Sequence, residues 1–181
     1  AGHSKNNFFG SSLANIFMYL GYPVIRANYM NDWGTHICKS MLAWKKHGNG
    51  ETPETSGLKG DHLVGKYYVL FEQEYKLQIE KLVAEGLDEN EARNSAPLMK
   101  ETREMLLKWE AGDPEVIVLW KLMNSWVYAG FDETYKLMGV DFDKIYYESD
   151  TYKIGKELVL EALKNNVLYR NHDKSIWVDL A

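Results

Sequence analysis

A single cysteine, Cys38, stands in 181 residues. No disulfide can form within such a chain, and a reducing compartment suits it. Long apolar runs are also missing. Nowhere do about 18 or more apolar residues follow one another, and no charged leader precedes an apolar segment, so neither a membrane span nor a signal peptide is expected. Basic charge is in deficit: 21 Lys and Arg stand against 26 Asp and Glu, a formal net charge of −5. Attraction to phosphates scales with the number of basic contacts, so this balance excludes a surface made for indiscriminate nucleic-acid binding while leaving room for a local basic face. The expectation is a cytoplasmic globular protein whose hydrophobic fraction of 45% supports one sizeable core, with room for a smaller annex.

Several chemistries are missing too. His36 and Cys38 lie two apart on an expected helix and point in different directions, and His3, His47, His62 and His172 show no ligand spacing, so no structural zinc is expected. Cys38 sits among apolar residues and no Gly-x-Ser-x-Gly elbow occurs, which argues against covalent catalysis. The segment GNGETPETSGLKG, residues 48–60, is glycine-rich, but its spacing fits neither Gly-x-Gly-x-x-Gly nor a P-loop. It reads as a long exposed loop.

What is present begins with a helix. Phe8, Phe9, Leu13, Ile16, Phe17 and Leu20 fall on one face at a spacing of about 3.6 residues. Ser4 is its expected N-cap, and Gly21 with Pro23 its stop. Gly2 and His3 then lie at a helix N-terminus, where free N–H groups and the positive dipole end favour a phosphate; an ordinary capped helix is the alternative. Residues 24–30 follow as a strand apolar on both faces, as a central parallel strand requires. It ends in Asn31-Asp32-Trp33-Gly34, and a helix from Thr35 to His47 comes next. Ligands of open α/β sheets bind beyond the carboxyl ends of strands, so this polar cluster is expected at a site rim; Asp32 could equally cap the helix after it.

The middle of the chain is helical. Asp61 is expected to cap a helix running to Glu85, a second covers residues 96–111, and Asp113-Pro114-Glu115 opens a third that ends at Gly139. Strand character returns at residues 142–150, where Ile145, Tyr146 and Tyr147 lead into Glu148-Ser149-Asp150. The two strands are expected to pair in parallel, with the intervening helices supplying the crossover. Two strand ends rich in carboxylates would form an acidic pocket suited to a cation such as a guanidinium; the alternative makes Glu148 and Asp150 solvated loop acids. A helix over residues 152–165 and a hairpin of residues 167–169 and 176–180 complete the chain.

The run GHSKNNFFGSSLANIFMYLGYPVIRANYMNDWGTH resembles the part of arginyl-tRNA synthetases that holds the second half of the class I signature His-x-Gly-His, its helix and the Asn-Asp-Trp-Gly strand end. The resemblance continues through AGDPEVIVLWKLMN and FDETYKLMGVDFDKIYYESD to the terminal WVDLA. It implies an α/β fold: a partial Rossmann-type nucleotide-binding domain with a mostly helical insertion and a C-terminal β-hairpin. Residues 1–47 would be the first part of the catalytic domain, 48–112 the insertion, 113–150 the returning helix and strand, and 151–181 the helix and hairpin of a second insertion. It also implies an arginine–tRNA ligase that activates arginine with ATP, accompanied by Mg2+, and esterifies tRNA(Arg), with no structural metal, membrane or obligatory protein partner. Gly2 and His3 match the last two signature positions, which contact ATP, with His3 catalytic. Glu148 matches the Glu of a Glu-Ser motif that recognises the arginine guanidinium, and Asp32 and Trp33 match pocket formers of the arginine site. The first signature His would precede Ala1, and neither Lys-Met-Ser-Lys-Ser nor a helical anticodon-binding domain is found, so residues 1–181 resemble an excised piece expected to be inactive alone. The contrasting reading is a non-enzymatic helical module whose aromatic residues serve packing and a protein partner. Convergence of Asp32 and Glu148 near Gly2 would separate the two.

Overall fold

The computed structural model describes residues 2–172 and 174–179, with Gly2 and His3 described by backbone alone. Its helical body is organised by α4 (Gly60–Ala84), where Leu63, Val64, Tyr67, Phe71, Tyr75 and Ile79 recur every three or four residues and are all buried. Such spacing places them on one stripe. The stripe packs against Cys38, Met41 and Leu42 of α2 (Thr35–His47), Leu98, Met105 and Trp109 of α6 (Pro97–Glu110), and Val116, Met123 and Trp126 of α7 (Pro114–Met138).

Local chemistry sets both ends of α7. Asp113 accepts hydrogen bonds from the backbone N–H groups of Glu115 and Val116, both at 3.1 Å, ahead of Pro114. Gly139 ends α7 with φ 65°, a left-handed conformation that costs glycine little. The bounds of α2 and α7 agree with those read from the sequence. Asp61 does not cap α4: Lys59 is the N-cap, and the Asp61 carboxylate takes the Lys59 ammonium at 3.2 Å. Residues 48–60 are not a plain loop either. They contain a single turn, α3 (Pro53–Ser56), closed by a reciprocal Thr52–Thr55 capping box. A short helix that periodicity did not reveal, α5 (Glu89–Ser95), begins where Asp88 accepts from Asn90 and Glu91 N–H.

Two close approaches fix how α4 crosses α7. A Cβ on Gly60 would lie 2.2 Å from the Trp126 carbonyl oxygen, and one on Gly130 would lie 2.3 Å from the Asp61 carboxylate. Glycine is required here by space, not by backbone angle.

β1 (Ala27–Met30) pairs in parallel with β2 (Lys144–Tyr147), in the register Ala27↔Lys144 through Met30↔Tyr147. The helical body forms the crossover between them, as expected. At the start of the pair the Arg26 N–H donates to Asp143 at 2.8 Å, its guanidinium holds Asp143 and Asp141, and its carbonyl accepts from Asp143 and Lys144 N–H. The Arg26 guanidinium holds the Asp143 carboxyl down at about 2.

The remaining elements depart from expectation in burial and extent. α1 (Gly2–Tyr19) starts two residues before Ser4, which lies inside it and is not its cap. Its apolar face is uncovered: Phe9 is 64% and Ile16 55% exposed, and of its hydrophobic residues only Ala14 is buried. β1 likewise buries only Met30 rather than both faces. α8 (Glu148–Lys164) begins directly at the end of β2, so Glu148 and Asp150 occupy its first turn and are not loop acids. β3 (Tyr169–Arg170) and β4 (Ile176–Trp177) form the expected antiparallel pair. No described helix is long and apolar enough to cross a membrane.

Candidate active site

Side chains alternate along β1. Asn28 donates to the Tyr135 hydroxyl of α7 at 3.2 Å, and the Tyr29 hydroxyl, on the opposite face, is 2.7 Å from Thr151 Oγ1 in α8. Beyond Met30 the chain leaves the sheet, and Asp32 turns inward to 2% exposure.

Every polar atom of Asp32 beyond its N–H is engaged. Its carbonyl accepts from Trp120 Nε1 at 2.7 Å and Asn124 Nδ2 at 3.2 Å. Its Oδ1 accepts from the Ser149 N–H at 2.9 Å, while Oδ2 accepts from Ser149 Oγ at 2.7 Å and the Tyr128 hydroxyl at 2.8 Å. Burial first, and then the bond to Asp32, push the Tyr128 phenol above its ordinary pKa, so it stays a neutral donor. Asp32 does not cap α2, whose N-cap is Gly34. It caps α8 instead, from the loop after β1, far away in sequence. The N-cap of that helix, Tyr147, offers no side-chain acceptor of its own.

This arrangement corrects the expected acidic pocket. The Asp32 carboxylate is consumed by protein donors, which leaves Glu148 and the exposed Asp150 as the acids of the corner. Asn31 and Glu148 directly follow the last register pair, so the two strand ends bring them side by side. Glu148 is half-buried, and its Oε2 is fully buried with no hydrogen-bond partner among the described residues. An orphaned buried carboxylate oxygen is costly unless a donor meets it. Trp33 stacks on Tyr152 of α8, with centroids 3.9 Å apart and planes inclined by 26°, and its buried Nε1 also has no partner among the described residues.

α1 opens at Gly2, so Gly2 and His3 form its N-terminal turn, and the His3 side chain lies outside the described part of the structure. Ser4 and Asn7, next along the helix, line a cavity of about 400 Å³ together with Asn28, Asn31, Asp61 and Thr134. The first turns of α1 therefore open onto the space beyond β1. A larger cavity of about 620 Å³, between α4 and α5, contains none of the strand-end residues. Cys38 is buried, and that burial pushes its thiol up to about 12. Among the described residues no three His, Cys, Asp or Glu side chains come together as metal ligands would.

Sequence reasoning missed the roles of Ser149, Trp120, Tyr128, Asn124 and Tyr152. Ser149 stood in plain view between two acids. Trp120 and Tyr128 were hidden because, at helical spacing along α7, aromatic rings read as core while their polar tips go unnoticed.

Comparison with known proteins matches all of residues 1–181 to the family described as tRNA synthetases class I (R), catalytic domain. An arginine–tRNA ligase of Bacteroides thetaiotaomicron is 60% identical over 179 residues, covering 99% of this chain and 30% of the relative. Those of Bacteroides fragilis and Flavobacterium psychrophilum are 59% and 54% identical over the same length and with the same coverage. The chain thus spans 30% of the length of these relatives. With its strand ends, helix N-terminus and intervening helical body matched over every residue, it belongs to the catalytic-domain family of the class I arginyl-tRNA synthetases.

Proposed function

We propose that residues 1–181 form part of the arginine- and ATP-binding region of a cytoplasmic arginine–tRNA ligase, which converts arginine and ATP to arginyl-adenylate and passes the arginyl group to tRNA(Arg). The observation that carries this reading is the buried, unpartnered Oε2 of Glu148 at the end of β2. A guanidinium presents paired N–H donors and a positive charge, which is what such an oxygen lacks. Trp33, stacked on Tyr152, gives the pocket a rigid wall, and Asp32 shapes it from behind.

At the other side of the corner Gly2 and His3 supply the ATP contact. The N–H groups of the first turn of α1 and the positive end of its dipole face developing phosphoryl charge, and the His3 ring adds a donor in the transition state. Mg2+ arrives with the ATP phosphates as part of the substrate. In the same reading, residues 1–47 and 113–150 belong to a Rossmann-type domain, 48–112 to a helical insertion, and 151–181 to a second one.

Glu148→Gln in a ligase of the relatives' full length that carries these residues preserves shape and removes charge. The arginine KM should rise roughly tenfold to a few hundredfold, at about 1.4 kcal/mol per decade, with the ATP KM little changed. Asp150→Asn, on the exposed side of the same turn, should have a much smaller effect. Steady-state kinetics that leave the arginine KM and kcat of the Glu148 variant unchanged would remove this residue from the site. Residues 1–181 alone contain nothing like Lys-Met-Ser-Lys-Ser to clamp ATP from the opposite side, and should give no arginine-dependent exchange of pyrophosphate into ATP.

A further inference from the structure

We infer that Asp32 is a positioning residue: through Ser149 it fixes the first turn of α8, and with it the direction of the Glu148 carboxylate. The inference rests on the reading of Glu148 as the partner of the arginine guanidinium.

The geometry leaves Asp32 no direct part in holding a ligand. Both carboxylate oxygens are taken by Ser149 N–H, Ser149 Oγ and the Tyr128 hydroxyl, and the side chain is buried. What it does touch is the residue next to Glu148. α8 opens without a cap from its own sequence, because Tyr147 contributes no side-chain acceptor and Glu148 is the first helical residue. A helix start without an acceptor for its N–H groups frays. Fraying at this point would swing Glu148, since its backbone angles are set by whether the first turn is helical.

Asp32 supplies that missing acceptor, and it is itself immobilised. Trp120 and Asn124 hold its carbonyl while Tyr128 holds its carboxylate, all from α7. Rigidity therefore passes from the helical body through Asp32 to Ser149 and on to Glu148. Substrate sites need this, because a displacement of about 1 Å at a binding group can cost on the order of a hundredfold in rate. The carboxylate also complements the positive end of α8.

The test compares Asp32→Ala, Asp32→Asn, Ser149→Ala and Glu148→Gln in a full-length ligase carrying these residues. Four quantities are read: the arginine KM, the ATP KM, kcat, and the preference for arginine over citrulline, its uncharged isostere, as a competing ligand. Asp32→Ala should raise the arginine KM about tenfold or more and reduce the preference over citrulline, with the ATP KM changed by less than about twofold. Asp32→Asn should recover most of the loss, because its amide oxygen still accepts from the Ser149 N–H while its NH2 donates to the two hydroxyl oxygens. Ser149→Ala, which deletes one hydroxyl and keeps the N–H, should raise the arginine KM about threefold.

An arginine KM unchanged in both Asp32→Ala and Ser149→Ala, while Glu148→Gln raises it, overturns the inference and leaves the reading of Glu148 standing. No effect in Glu148→Gln overturns that reading itself, and the inference with it. Equal damage in Asp32→Asn and Asp32→Ala would assign the effect to charge and overturn positioning by hydrogen bonds. Should Asp32→Ala fail to fold, Ser149→Ala decides: a selective rise in the arginine KM supports the inference, and an unchanged one defeats it.

Discussion

The helical body and the strand corner are built from similar material and held together differently. In the body, α2, α4, α6 and α7 close an apolar core around Phe71, Met41, Leu63 and Met123. In the corner, aliphatic and aromatic residues make up a similar share of α1, β1, β2 and α8 but most of them stay exposed, with Phe9, Ile16, Tyr29, Ile154 and Leu158 among them. Order there comes from polar clasps at the two ends of the parallel pair: Arg26 with Asp141 and Asp143 at one, Asp32 with Ser149, Tyr128, Trp120 and Asn124 at the other. The hydrophobic effect is non-directional: it drives apolar surface together without saying which way any one group must point. Hydrogen bonds to a buried carboxylate are directional, so they fix where a chain turns and which way the next side chain points. If the corner holds arginine as proposed, it gains more from the second kind of order.

The comparison breaks most readily in the body. Phe71→Ala empties the centre of the core and should lower the stability of residues 1–181 by about 3–5 kcal/mol, measured by urea denaturation. A loss below about 1 kcal/mol would mean that the core is not centred on α4. Gly60→Ala comes next. Its Cβ would meet Trp126 backbone that cannot rotate away, so α4 and α7 must separate, at a cost of about 1–3 kcal/mol by the same measurement.

Electrostatic clasps at the surface should matter less, and with a defined pH dependence. The folded pKa of Asp143 lies at about 2, below its ordinary 3.8. A carboxylate depressed on folding contributes stability that is fully present above the ordinary value and lost as pH falls through the folded one. Asp143→Asn should therefore lower the melting temperature slightly at neutral pH, and the difference from the parent should shrink below about pH 4 and vanish only below about pH 2. A constant difference across that range would detach the effect from the Arg26 pair.

The smallest effect sharpens the contrast most. Ile16→Ser on the open face of α1 should change the stability of residues 1–181 by no more than about 0.5 kcal/mol. A loss of several kcal/mol would show that this face is covered in solution, for which sedimentation at two concentrations would reveal a second copy.

Much of this was legible in the residues in order. Asp113-Pro114 and Gly139 bound α7 by local chemistry, and the spacing from Leu63 to Ile79 announced α4, because caps and periodicity act within a few residues. The apolar strands ending in polar clusters predicted one parallel pair, and the pair is there. α5, with a single buried residue, was too short for periodicity to register.

What the sequence could not supply was the partner of each polar group. Asp32 was read as a rim carboxylate or a cap for α2, and in the folded chain it caps α8, which follows 117 residues later at Ser149. The sequence put the apolar residues of α1 on one face, and that face is open, since periodicity says that a face is apolar and not what covers it. By itself the sequence determined the longer helices and the strand pair, where most of them stop, and the family to which the chain belongs. Only the tertiary structure decided which carboxylate turns inward onto protein donors and which keeps a buried oxygen without a partner among the described residues. That choice depends on where donors from distant segments meet, and no spacing along the chain encodes such a distance.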